Sequence, residues 1–143
     1  ENCLETDDPA GQQWIGMFPV ANGNEVRIAA SGGTSSLSAY ASLFTSGEIN
    51  VALVNKSATA ITVKIKPQNF VKGNRFYWYS LAGGTDNGEF SRKVYVNGTG
   101  PAGVSGGPDN YTSLKAYAAS AANGIRVTVP ARGVVIMAVE KAP

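Results

Sequence analysis

Short apolar runs recur along the chain with turn residues between them, and in two of these runs apolar and polar positions alternate strictly. In Ile61-Thr62-Val63-Lys64-Ile65-Lys66 the period of two places Ile61, Val63 and Ile65 on one face and both lysines in water. Pro67, which lacks an N–H to donate, is expected to end the pairing of that strand. Ile125-Arg126-Val127-Thr128-Val129 repeats the alternation and is again followed by a proline, Pro130. Val51-Ala52-Leu53-Val54 and Val134-Val135-Ile136-Met137-Ala138-Val139 are apolar at every position. Such strands are expected to be covered on both faces, by a loop or by a neighbouring domain. Residues 26–30, 37–44, 75–81 and 92–96 supply four further candidates. Residues 113–122 (SLKAYAASAA) could instead form a helical turn, although their Ser and Tyr content weakens it. The pattern predicts an all-β fold, an antiparallel β-sandwich of about eight strands, with Leu53, Ile61, Val63, Ile65, Val127 and Val129 in its core.

Composition supports that class. With 43% hydrophobic and 15% charged residues, the 143-residue chain can bury one ordinary core, and its 17 Gly and 7 Pro interrupt it too often for long helices. Residues 1–13 (ENCLETDDPAGQQ) are polar, acidic and aperiodic, which predicts a linker or peripheral lead-in, with a single domain over residues 14–143. No apolar run reaches the roughly 20 residues that cross a bilayer, so no membrane partner is expected. The first residue is not Met and the first five do not resemble an export signal, so the expectation is a secreted segment cut from a longer, processed protein.

Charge and side-chain inventory narrow the chemistry further. Lys and Arg number 12 against 10 acids, but Lys64, Lys66, Lys115, Arg126 and Lys141 are scattered along the chain. Nucleic-acid binding needs such charges clustered with stacking aromatics, so no nucleic-acid partner is expected. Cys3 is the single cysteine and His is absent, which excludes an intrachain disulfide and any Ser-His or Cys-His nucleophile within this chain. No transition metal is expected.

Three stretches together resemble the C-terminal β-sandwich that follows the barrel in bacterial polysaccharide-degrading glycoside hydrolases. They are residues 37–56 (LSAYASLFTSGEINVALVNK), 75–84 (RFYWYSLAGG) and 125–135 (IRVTVPARGVV). In that family a Tyr-Ala-Ser strand, a Gly turn and a strand ending in Val-Asn-Lys form an early hairpin, and Val-Pro-Ala-Arg precedes a final apolar strand. The likeness spans about residues 26–141, and residues 85–124 are longer than it requires. It implies a sugar-related role beside a covalently linked hydrolase domain. Fold analogy does not decide whether such a domain binds glycan or braces a barrel.

A glycan-binding module needs exposed aromatics on which pyranose C–H faces stack, flanked by groups that bond hydroxyls. In residues 75–81 the period of two separates Phe76, Trp78 and Ser80 from Tyr77, Tyr79 and Leu81. Taking Leu81 as buried and Ser80 as exposed puts Tyr77 and Tyr79 inward and makes Trp78, with Phe76, the leading platform on the outer face. Trp14 is a further candidate, weighted towards packing. Asp109, Asn110 and Tyr111 bring a carboxylate, an amide and a phenol into one turn-rich loop, where they bind sugar or simply satisfy nearby backbone groups. Thr85-Asp86-Asn87-Gly88-Glu89 offers oxygen ligands at close spacing and leaves a structural calcium ion open; no other cofactor is expected. Glycoside hydrolysis needs two carboxylates about 5 to 10 Å apart, and the scattered acids do not point to such a pair. Three Asn-X-Ser/Thr sequons, at Asn55, Asn97 and Asn110, are read as chance. The leading expectation is a non-catalytic carbohydrate-binding module that targets a hydrolase to plant-type or algal polysaccharide, β-glucan favoured. The alternative is a brace for the adjacent barrel.

Overall fold

The computed structural model describes residues 13–22, 25–31, 35–84 and 91–143. Among them lie ten strands: β1 (Gln13–Asn22), β2 (Glu25–Ser31), β3 (Leu37–Leu43), β4 (Ile49–Asn55), β5 (Ile61–Pro67), β6 (Lys72–Ala82), β7 (Tyr95–Val96), β8 (Tyr117–Ser120), β9 (Ile125–Val129) and β10 (Val134–Lys141). Eight of these have five residues or more; seven coincide with expected strands, and β1 is an addition that stands in number for residues 92–96, which hold only the two-residue β7. The pairing path runs β7-β6-β10-β4-β3-β2-β1-β5-β9, with β8 on the second edge of β6. All the pairs are antiparallel except β1 with β5, which is parallel.

The path folds over on itself because its two ends share one apolar face. Ile49, Val51 and Leu53 of β4, Val135, Met137 and Val139 of β10, and Phe76 of β6 meet Val63 and Ile65 of β5 and Ile125, Val127 and Val129 of β9 in one buried cluster. This is an all-β sandwich, with β1 and β2 carrying the pairing from one layer to the other. Five of the six expected core residues are fully buried, and Ile61 packs against them half-buried. Pro67 does not end pairing altogether: it remains opposite Met17 of β1.

Two further segments depart from the sequence expectation. Residues 113–122 contain strand β8 rather than a helix; one 3-10 turn, Tyr111–Ser113, precedes it. Of residues 92–96 only Tyr95 and Val96 are strand, and they are followed by a tight Asn97-Gly98 turn with both residues at positive φ, 49° and 81°. This is the Asn-Gly hairpin turn whose twist matches its strands.

A hydrogen-bonded lock joins two of the three stretches that carried the resemblance. Asn55, at the end of β4, is 1% exposed. Its amide donates to the carbonyls of Thr59 (2.7 Å), Pro130 (2.8 Å) and Val129 (3.3 Å), while its oxygen accepts from the Ser57 N–H and hydroxyl, both at 2.9 Å. The Asn55 sequon is therefore buried structure. Close to this lock, a Cβ on Gly133 would lie 2.6 Å from the Leu81 carbonyl oxygen and 2.8 Å from the Pro130 Cβ. Gly133→Ala must push β10 away from β6, and a loss of about 1 to 3 kcal/mol is expected on urea unfolding. An unchanged denaturation midpoint would mean that the turn moves freely.

Candidate functional site

Strand β6 is placed by its pairing with β10. Phe76 stands opposite Val139, Trp78 opposite Met137 and Ser80 opposite Val135, and all three β10 residues are buried. Residues opposite one another share a face, so Phe76, Trp78 and Ser80 point to the core side. The expected outward assignment of Phe76 and Trp78 is overturned, and so is the inward one of Tyr77 and Tyr79. Phe76 is 2% exposed and cannot be a sugar platform. Ser80 faces inward because β6 runs past the filled core to the mouth of the sandwich, where a small polar residue meets solvent.

At that mouth the aromatic residues form a series running outward. Phe76 stacks on Trp78 at 5.3 Å between centroids and 24° between planes, and Trp78 meets Tyr117 at 5.5 Å and 49°. Tyr117 reaches this position because β8 pairs with β6 in a register that sets it opposite Trp78; it is 44% exposed. Across from the aromatics runs β9, whose second edge has no strand beside it among the described residues. Between the two walls lies an open cleft of about 460 Å³. Trp78, Ser80 and Tyr117 line one side, and Thr62, Arg126, Val127 and Thr128 the other. The Thr62 and Thr128 hydroxyls are 3.1 Å apart. A mixed cleft of this kind offers flat π-surface, hydroxyl groups and one cation.

Asn97 holds the aromatic wall in place. Its side-chain oxygen accepts from the Ser80 N–H (2.8 Å), its amide donates to the Lys115 carbonyl (2.9 Å), and its carbonyl accepts from the Tyr117 hydroxyl (2.9 Å). The second sequon is thus also structural.

Of the remaining candidates, Asp109, Asn110 and Tyr111 do not line the cleft. Asp109 accepts from the Ala102 N–H at 2.8 Å, the backbone-satisfying role weighed as its alternative. Asn110 is exposed and its carbonyl accepts from Ser113. Tyr111 is 73% exposed on the same loop. Trp14 lies in β1 opposite Lys64 in Cα register, and its side chain lies outside the described residues, as does the whole of the Thr85–Glu89 calcium candidate. Among the described residues no three acidic or sulfur ligands gather as a metal would need. Sequence reasoning missed Tyr117, Arg126, Thr62 and Thr128. The Ala-Tyr-Ala setting of Tyr117 reads equally as helix, and alternation marks the two threonines and Arg126 only as the wet face of their strands.

On the opposite face of the β3-β4-β10-β6 layer, one row runs Tyr79, Ile136, Ala52, Tyr40. Ile136 is 42% and Tyr40 63% exposed, so the described residues do not cover this face of β4 and β10 as the sequence pattern led one to expect. Beside the row, the Tyr77 hydroxyl donates to Glu140 at 2.8 Å, and that hydrogen bond pushes the phenol above its ordinary pKa. The Tyr79 hydroxyl donates to the Leu114 carbonyl at 3.3 Å.

Comparison with solved structures places this architecture. An endoglucanase of glycoside hydrolase family 44 from Clostridium acetobutylium ATCC 824 matches 81% of the chain at 14% identity and a TM-score of 0.51. The thermostable GH51 α-L-arabinofuranosidase of Thermotoga petrophila RKU-1 matches 90% at 15% identity and 0.50. A Paenibacillus polymyxa xyloglucanase of family 44 matches 81% at 12% identity and 0.50. Glycoside hydrolases carry this fold. At such identities the likeness concerns the fold alone, and the chain spans only 19 to 24% of those solved chains. No model of a known protein family and no curated protein matches the chain.

Proposed function

We propose that this chain is a non-catalytic accessory domain of a polysaccharide-acting glycoside hydrolase and that it holds glycan in the cleft between β9 and the β6-β8 wall. The observation that carries the reading is the pairing of Trp78 with a half-exposed Tyr117 across from the Thr62 and Thr128 hydroxyls. A pyranose ring needs that combination: a flat surface for its C–H face and short polar groups for its hydroxyls. Trp78 remains a candidate from the sequence reading, now as the inner end of the site. A binding role is further supported by the described carboxylates. Glu48 is bonded by Ser46, Asp109 by the Ala102 N–H and Glu140 by Tyr77, on separate elements, and none of the three lines the cleft. The named substrates of the matched enzymes favour plant-type β-glucan or a related wall polysaccharide.

The test is affinity electrophoresis of the chain in gels containing xyloglucan, mixed-linkage glucan or xylan. Retarded migration is expected in at least one gel. Truncating an aromatic anchor costs about 1 to 3 kcal/mol of binding, so Tyr117→Ala is expected to weaken the interaction about tenfold or more. Because Tyr117 lies at the rim, its melting temperature should change little. Unretarded migration in every gel overturns the glycan reading in favour of a brace. That second reading has its own support in the apolar Tyr79-Ile136-Ala52-Tyr40 row, which would dock on a barrel.

A further inference from the structure

We infer that the sugar ring held in the cleft stacks on the second face of Trp78, in a slot that Ser80 keeps open, and that the ligand is therefore a separate polysaccharide chain and not the surface of a crystalline one. This rests on reading the cleft as a glycan site and goes on to name the physical class of glycan and the residue that admits it. Phe76, Trp78 and Ser80 follow one another along the core-side face of β6, and alternate residues of a strand stand about 6.6 Å apart. Trp78 stacks on Phe76, the residue before it in this row, with 24° between the ring planes. Its second face is thus turned towards Ser80, the residue after it. Tyr117 does not close that space, because it comes from β8 and stands beside Trp78 in the register, not beyond it. Ser80 lines the cleft with only the small side chain of a serine. Its backbone N–H donates to the Asn97 side-chain oxygen at 2.8 Å and its carbonyl accepts from the Asn97 N–H at 2.9 Å. Its hydroxyl has no hydrogen-bond partner among the described residues, and a ring stacked on Trp78 would lie over it.

Two observations set the class of ligand. The stacking face is recessed: Trp78 is half-buried, and the cleft of about 460 Å³ is walled on its other side by Thr62, Arg126, Val127 and Thr128. A sugar reaches that face only by entering between the two layers of the sandwich, which one chain can do and an extended flat surface cannot. The indole and the Tyr117 ring are also inclined at 49° to each other. The chains on a crystalline face lie in one plane and need coplanar aromatic rings to stack on. A single chain can turn about its glycosidic bonds and so follow two tilted rings.

The experiment incubates the whole chain with microcrystalline cellulose, with the same cellulose swollen in acid, and with soluble xyloglucan, mixed-linkage glucan and xylan. At least one swollen or soluble polymer is expected to bind, and the crystalline one to leave the chain in the supernatant. Ser80→Leu fills the slot and should weaken binding of that polymer by about tenfold or more, the loss of one aromatic contact, without lowering the melting temperature. Ser80→Ala keeps the slot and loses one neutral hydrogen bond, so it should weaken binding by no more than about tenfold. Indole emission reports the stacking directly, because the chain has two tryptophans, Trp14 and Trp78. The polymer should change the emission of the parent chain and of a folded Trp14→Phe variant, and should leave that of Ser80→Leu unchanged. Binding to crystalline cellulose at least as strong as to its swollen form overturns the inference while the glycan reading stands. So does a Ser80→Leu protein that binds as the parent does, or an emission change that disappears in folded Trp14→Phe. Binding of no polymer in any state overturns both. The comparison of crystalline with swollen and soluble polymer uses the unaltered chain, so it decides the question even where a variant fails to fold.

Discussion

Asn55→Ala is expected to lower the unfolding free energy by about 3 to 5 kcal/mol, because one truncation leaves several buried backbone groups without partners at once. The amide of Asn55 serves the carbonyls of Thr59, Val129 and Pro130, and its oxygen serves both donors of Ser57. Each unsatisfied buried group costs about 1 to 3 kcal/mol, although water entering the gap recovers part of this. Against a typical total of roughly 5 to 15 kcal/mol such a loss is large. It corresponds to a fall in melting temperature of about 10 °C or more for a domain this size. Asn55→Asp keeps an acceptor for Ser57 but turns a second oxygen towards three carbonyls, so it should fare no better. Thermal unfolding of the two variants beside the parent chain is the measurement. A drop of only a degree or two in both would show that the turn after β9 is held by its own backbone.

The same residue explains why the resemblance is legible in scattered pieces. Val-Asn-Lys at the end of β4 and Val-Pro-Ala-Arg after β9 are far apart in sequence, yet the Asn55 side chain bonds directly to the Val129 and Pro130 carbonyls. Arg132, at φ 42°, donates its N–H to the Ser57 carbonyl at 2.9 Å and closes the same junction. Short stretches that look ordinary singly are specific together because they form one hydrogen-bonded unit.

Strands with one wet face can be read from the sequence alone, because alternation fixes their orientation without outside information. In β5 and β9 the inward residues Val63, Ile65, Ile125, Val127 and Val129 are all buried. In β6 both faces carry aromatics, and alternation then offers two phases with nothing local to choose between them. Leu81 and Ser80 favour the wrong phase because they lie at the end of the strand, past the filled core. The deciding information is non-local: the register of β6 against Val135, Met137 and Val139 of β10. The cleft is hidden in the sequence for a related reason. Its walls come from separate strands brought together by the fold, and β8, which contributes Tyr117, has too few residues to show a period.

Phe76→Ala and Tyr77→Ala form the pair that decides the orientation of β6. Phe76, 2% exposed, belongs to the central cluster and stacks under Trp78. Truncating a buried Phe removes its transfer energy and leaves a cavity that neighbouring strands cannot close, costing about 3 to 5 kcal/mol. Tyr77 instead lies half-buried on the opposite face, with Arg75 5.7 Å over its ring and its hydroxyl on Glu140. Losing an exposed-side contact and one surface hydrogen bond should cost about 1 kcal/mol. Urea unfolding should therefore separate the two variants by at least about 2 kcal/mol, with Phe76→Ala the weaker protein. The reverse order would return Tyr77 to the core and put Trp78 on the outer face. Because Phe76 supports Trp78 from beneath, Phe76→Ala should also loosen the aromatic wall, so any Phe76→Ala protein that still folds should bind glycan more weakly, even though Phe76 is not among the residues that line the cleft. Tyr77→Ala should bind as the parent does, and weakened binding there with a normal melt would move the site to the outer face.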